Sequence, residues 1–282
     1  MIDRSQIEAM VRAALAGEGA APAADATAPI LDGGGAALIA PDRGVNLGTP
    51  ADPAVMRRLL ARTPARIAVG RAGTRYRTNT LLRLRADHAC ARDAVMSEVP
   101  KELLAQLGLF EVRSRAADKQ EFLVRPDLGR HLCDEGRAEV ARRVGPAPQL
   151  LVIYGDGLSA AAITAHLATF HEAFTRAAAA QALRLAPPFF VRHSRVKVMD
   201  EIARLVDAEA AVFTCGERPG LGYADSLSAY FIYRPAAGAT DANREVVSNI
   251  NPRGLAVGEA ARVVAESCAR ILRDKRSGVV VG

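Results

Sequence analysis

The usual catalytic signatures are missing from this chain. It has no G-x-S-x-G elbow, no H-E-x-x-H pair and no Walker lysine, which removes the sequence basis for nucleophile-elbow hydrolysis, zinc-protease chemistry and P-loop phosphate transfer. The four cysteines, Cys90, Cys133, Cys215 and Cys268, are scattered, with neither C-x-x-C spacing nor histidine pairs nearby. They read as reduced core thiols rather than metal ligands or disulfides. The five histidines are His88, His131, His166, His171 and His193, and no spacing between them suggests ligation. His88 falls on an apolar stripe and His166 within a helical stretch. Aromatics make up only 5% of the 282 residues, and no aromatic RNA-stacking signature, helix-turn-helix or zinc knuckle occurs. No apolar run approaches the roughly 20 residues that span a bilayer, and the opening MIDRSQIEAM lacks a basic segment followed by a long apolar core. The expectation is a cytoplasmic protein with no membrane contact.

What is present is a chain about half hydrophobic, enough for one large core or two modest ones. Its net charge of +6 is unevenly spread. Residues 1–50 carry six acids against three arginines, so the excess lies downstream. Between Arg57 and Arg92 there are ten arginines and one acid, Asp87. Such a segment calls for an acidic partner. Guanidinium forks suit carboxylates met two bonds at a time, so docking onto an acidic protein surface is favoured over nucleic acid, for which motif support is absent.

Periodicity divides the chain into three parts: residues 1–51, 52–148 and 149–282. In the first, Ile7, Met10, Val11, Ala14 and Leu15 share a helical face behind a capping Asp3, followed by an Ala/Gly/Pro-rich stretch too poor in periodic apolar residues to offset its ordering entropy. This is a short amphipathic helix on a flexible linker, either docking into another protein or folding back on its own domain. The second part reads as helical: Val55, Leu59 and Leu60, then Leu81, Leu84, His88, Ala91 and Val95, recur at three- and four-residue intervals, and RPDLGRHLCDEGRAEVARRVG runs from a proline to a glycine.

The third part alternates strand-like runs (LLVIY, FFVRH, AAVFTC, AYFIYR) with helical ones. That alternation predicts an α/β fold with a Rossmann-like parallel sheet, beside a smaller N-terminal helical region. Ligands of such sheets bind in the loops at the carboxyl ends of strands, here Gly155–Ser159, Arg192–Lys197, Gly216–Gly222 and Val246–Gly254. GDGLS reads first as a tight turn, its glycines supplying positive φ and Asp156 or Ser159 capping the next helix. GERPGLG is the stronger functional candidate, since three glycines with Glu217 and Arg218 suit backbone approach to a ligand and charge on a rim. SNINPRG offers amide and guanidinium donors or, equally, Asx-turn chemistry from Asn249 and Asn251. Taken alone, the residues support a ligand-binding α/β domain better than a self-sufficient enzyme.

In order along the chain, ARIAVGRAGTRYRTNTLLRLRADHACARD, EVPKELL, RPDLGRHLC, GDGLS, PPFFVRHSRVKV, GERPGLGYADSLSAYFIYRP and SNINPRG together resemble the small subunit, or light chain, of ethanolamine ammonia-lyase. The resemblance runs from about residue 52 to the C-terminus. It implies a subunit paired with a larger barrel subunit, adenosylcobalamin held between them, and radical conversion of ethanolamine, bound by the partner, to acetaldehyde and ammonia. It also implies cofactor contacts at Val196, Glu217 and Val246, the last at a position where some relatives carry cysteine, with no catalytic residue and no metal ligand in this chain. The D-x-H-x-x-G pattern of a histidine-replaced lower base does not occur, since Asp87 and His88 are adjacent, so a base-on cofactor is expected. Enzymes of this type are commonly packaged in bacterial microcompartments, which makes the N-terminal helix an expected encapsulation tag. The competing reading is a nucleotide- or nucleic-acid-binding α/β protein that uses the Arg57–Arg92 segment and GDGLS for phosphate.

Overall fold

The computed structural model describes residues 47, 49–63, 65–221 and 223–279. The expected helix over residues 3–17 and almost all of its linker lie outside the described residues. The chain divides into two compact units, Met1–Leu82 and Arg83–Gly282. No helix among the described residues is long and apolar enough to cross a membrane.

In the first unit, helix α1 spans Pro53–Ala61. The Asp52 carboxylate accepts the free N–H groups of Ala54 and Val55 at 2.8 and 3.0 Å, and Pro53 stands where a missing N–H costs nothing. No side chain of α1 is buried. Strands β1 (Arg71–Ala72) and β2 (Arg75–Tyr76) form a hairpin whose turn places Gly73 at φ +62°. The Arg71 guanidinium lies 4.9 Å from the centre of the Tyr76 ring. Helix α2 (Thr78–Met96), which begins in the first unit and continues in the second, forms where the spacing predicts, but the residues it buries are Asp87 and Ala94. His88 is exposed. Asp87 is drawn inward because Arg83, one turn earlier, pairs with it at 3.0 Å.

The second unit is built on a six-stranded sheet in the order β3-β5-β4-β6-β7-β8, with β3 at Phe110–Arg113, β4 at Leu150–Gly155, β5 at Phe189–Arg192, β6 at Ala210–Gly216, β7 at Leu227–Tyr233 and β8 at Glu245–Ile250. The first four run parallel. The expected parallel sheet is thus present, and it is extended by β7 and β8, which pair antiparallel to their neighbours. Only ten residues join β6 to β7, too few for the crossover that a parallel neighbour demands, so that connection closes as a hairpin. Two strands of this sheet escaped the periodicity reading: β3 lies in the stretch read as helical, and β8 lies mostly within a segment read as loop.

Side chains alternate between two cores. On one face Val152, Tyr154, Phe190, Val212 and Phe231 pack beneath α6 (Ala160–Ala180) and α8 (Val257–Asp274). On the other, Ile153, Phe189, Val191, Phe213 and Cys215 pack beneath α5 (Asp134–Val144) and α7 (Val198–Leu205). Strand β4 is buried along its whole length, as a central strand covered on both faces must be, which is why LLVIY reads as an unbroken apolar run. Short helices α3 (Lys101–Gln106) and α4 (Lys119–Val124) flank β3. Helix α5 begins at Asp134 rather than at Pro126, because residues Leu128–Arg130 form a separate single turn and the Cys133 thiol caps the new start through the Gly136 N–H. The thiols of Cys215 and Cys268 are buried as expected, while Cys90 and Cys133 are only half-buried; all four are free.

Edge strand β3 is fastened by charge as well as by its ladder. Arg192 Nε and an Nη donate to the two Glu111 oxygens at 2.7 and 2.8 Å, and these bonds hold the Glu111 carboxyl below its ordinary value against the opposing push of burial. A depressed folded-state pKa adds stability that is complete above the unfolded carboxylate value and is lost as pH falls through the folded one. Partial exposure trims this to about 1 kcal/mol. Glu111→Gln should therefore lower the unfolding free energy by about that amount at pH 7, with the gap to the unaltered protein closing below about pH 4, as measured by denaturant melts across pH.

Candidate functional site at the carboxyl ends of the strands

The loops following β4, β5 and β6 meet at one end of the sheet. Asp156, 1% exposed, stands at their centre. Its two oxygens accept the backbone N–H groups of His193 and Ser194 at 2.9 Å each, and the Lys119 ammonium lies 3.5 Å away. His193 takes a left-handed φ of +55° to aim that pair of N–H groups, a conformation non-glycine residues rarely adopt. The anion-receiving turn is thus occupied by the protein's own carboxylate. Behind it, the Phe122 ring carries Lys119 on one contact, 5.5 Å from its centre, and Arg195 on another at 4.3 Å.

The glycines of these loops serve packing between loops. A side chain at Gly155 would strike Ser194 Oγ and Phe213; one at Gly157, which has φ +54°, would come within 2.3 Å of the Gly216 carbonyl; one at Gly216 would come within 1.9 Å of the Ser159 carbonyl. Positive φ, expected at both glycines of GDGLS, occurs at Gly157 only. Ser159 is the helix cap: its Oγ accepts the Ala162 N–H at 3.1 Å and donates to the Ala224 carbonyl at 2.5 Å. A phosphate has no cradle here, since the turn's charged side chain faces inward and its glycine faces a carbonyl. GDGLS holds the neighbouring loop.

Of the residues assigned to the cofactor, Val196 and Glu217 fall elsewhere on the same end, while Val246 lies level with the middle of β6 and β7. Val196 follows β5, half-buried, and packs against the core beneath α5 and α7. Glu217 follows β6; its N–H donates to Ser226 O at 2.8 Å and its Oε1 accepts the Tyr230 hydroxyl at 2.7 Å. Val246 lies on edge strand β8, 50% exposed, directly opposite Tyr230 in register. Cross-strand partners share a face, and Tyr230 packs against the same core as Val196. All three residues therefore belong to one side of the sheet. Tyr230, which carried no signal beyond the alternation of AYFIYR, links Glu217 to Val246; only the hairpin register brings it there.

In the remaining loop, Asn251 makes the Asx turn, its Oδ1 accepting the Arg253 N–H at 2.9 Å and its Nδ2 donating to Ser226 Oγ at 3.1 Å. The Arg253 guanidinium covers the Tyr223 ring at 4.7 Å. His166 Nε2 lies 3.5 Å from Asp225 Oδ2, and the nearby imidazole holds the Asp225 carboxyl below its ordinary value. Among the described residues no cluster of three or more His, Cys, Asp or Glu side chains is arranged to hold a metal ion.

Residues 53–281 match the family model described as "Ethanolamine ammonia-lyase light chain (EutC)". The chain belongs to that family. It is also 40% identical, over 230 residues, to the ethanolamine ammonia-lyase small subunit of Clostridioides difficile (strain 630), an alignment covering 82% of this chain and 78% of that one. Family membership makes the chain a subunit of a lyase.

The Asp156 clamp is open to direct test. Asp156→Ala leaves two buried N–H donors and a buried ammonium without their acceptor, a loss of about 3–5 kcal/mol, or roughly 10 °C in Tm for a unit of this size. Asp156→Asn keeps one carbonyl acceptor and should fall between the two. Thermal unfolding of the three proteins side by side checks the order.

Proposed function

We propose that this chain is the small subunit of an adenosylcobalamin-dependent ethanolamine ammonia-lyase, contributing one wall of the cofactor site against a larger barrel subunit that binds ethanolamine and converts it to acetaldehyde and ammonia. The observation that carries this reading is the gathering of Val196, Glu217 and Val246 on one side of the sheet, with Val246 half-exposed and Glu217 offering a carboxylate at the strand end. A corrinoid suits that donor set. Its broad apolar faces match valines on an open sheet surface, and its amide-rich edges match a carboxylate acceptor better than a phosphate cradle, which this sheet end lacks. When bound, adenosylcobalamin supplies the radical chemistry through homolysis of its cobalt–carbon bond, while protein supplies position and a dry site.

Within this reading the chain's own residues bind and orient. Val196 and Val246 exclude water along the wall, and Glu217 accepts a hydrogen bond from the cofactor's rim. The Asp156 clamp keeps the β5 loop, and with it Val196, at a constant height above the sheet. The arginines of the Arg57–Arg92 segment form the docking face for the large subunit, where carboxylates are met by guanidinium forks. Residues 1–45 act as an encapsulation tag for a microcompartment shell.

Each part has its measurement. The isolated chain should show no deamination, and mixing it with the large subunit should give acetaldehyde production that requires cobalamin. A chain that instead binds polynucleotide with a steep salt dependence and leaves the large subunit inactive would move the assignment to the nucleic-acid reading. Charge reversal at Arg71, Arg75 and Arg77 together should reduce co-purification of the two subunits; unchanged assembly rejects the docking face. Removal of residues 1–45 should preserve activity and release the enzyme from the compartment fraction, whereas loss of assembly would make that segment part of the fold.

A further inference from the structure

The contact between Tyr230 and Glu217 constrains which chemical group the site can accept. Glu217 is held twice. Its backbone is tied to Ser226 O and follows Gly216, whose Cα abuts the Ser159 carbonyl so closely that no side chain fits there. Its carboxylate is tied through Oε1 to the Tyr230 hydroxyl. Tyr230 sits in the middle of β7, level with Phe213 on one neighbour and Val246 on the other, so the phenol has no freedom to follow a moving partner. Burial first, and the adjacent carboxylate second, push the Tyr230 hydroxyl well above its ordinary value. The phenol therefore stays protonated and donates.

With Oε1 taken by the Tyr230 O–H at 2.7 Å, a carboxylate has only acceptor oxygens to offer. Among the described residues its second oxygen, Oε2, has no hydrogen-bond partner. A group meeting Oε2 must therefore bring a proton. A primary amide does so; a carboxylate brings none and adds like charge. We propose that Tyr230 is a positioning residue that presents Glu217 as a fixed acceptor, and that the pair selects an amide over a carboxylate at one point on the corrin rim. The inference rests on the cofactor reading above and adds a specificity that reading does not contain.

The test uses the assembled two-subunit complex and cyanocobalamin, which binds without turnover, followed by spectral titration. It compares the parent compound with its separated derivatives in which a single peripheral amide has been hydrolysed to a carboxylate. In the unaltered complex one derivative should bind about 10- to 100-fold more weakly than the parent, and the others should bind nearly as well. Glu217→Gln gives its one carbonyl oxygen to the Tyr230 hydroxyl and turns an NH2 donor outward, which can meet the carbonyl of an amide or a carboxylate alike, so it should bring the disfavoured derivative close to the parent. Tyr230→Phe removes only the hydroxyl and should shrink the preference several-fold; combined with Glu217→Gln it should add nothing more, as expected for two residues acting through one contact. Equal binding of every derivative by the unaltered complex overturns the inference. So does a preference that both variants leave intact, or additive effects in the double variant. If the unaltered complex binds no cyanocobalamin, the cofactor reading fails and this inference fails with it; normal binding without selectivity leaves that reading standing and rejects this inference alone.

Discussion

The geometry of the sheet end depends on one buried carboxylate. Asp156 accepts two consecutive backbone N–H groups from the loop after β5 and draws in Lys119. Without an anion, those N–H groups and that ammonium would be buried without partners, at a cost no small loop recovers. A ligand phosphate would satisfy them, as in dinucleotide-binding sheets. This chain supplies the anion itself, which makes the arrangement permanent and removes it from the set of ligand sites.

Under the proposed function, the binding surface then lies elsewhere. With the crevice between β4 and β5 closed, what remains open is the outer part of the sheet, where β7 and β8 run antiparallel beyond the cover of α5 and α7. Half-exposed Val246 and the Tyr230–Glu217 pair lie there, continuous with Val196 across the same core. On the proposed reading, that half-exposed valine and the held acceptor would meet a broad ligand that a second chain covers.

Much of the fold was legible because its signals are local. Strand β4 is buried on both faces and reads as a continuous apolar run, helix α6 follows a capping serine, and α8 carries its apolar stripe at helical spacing. Strand β3 was not legible: FEVR is four residues long with two exposed positions, and its strand identity comes from pairing with β5 and from the Arg192–Glu111 bonds. Strand β8 alternates weakly because it lies at an edge, with solvent on one side. The antiparallel course of β7 was implicit in a ten-residue connection, a constraint of length rather than of periodicity.

From residues alone came the alternation that makes an α/β sheet, the loops at its carboxyl end, and the run of motifs that marks the family. These are properties of neighbours along the chain, set by side-chain period and by turn chemistry. Only the tertiary structure decided what each loop holds. Whether Asp156 caps its own helix, meets a phosphate or clamps a turn 37 residues away depends on which N–H groups the sheet brings beside it. Whether Glu217 is a loose rim charge or a held acceptor depends on a hairpin register that sets Tyr230 beneath it. A hydrogen bond between residues far apart in sequence is fixed by strand order and pairing, and no local pattern encodes those.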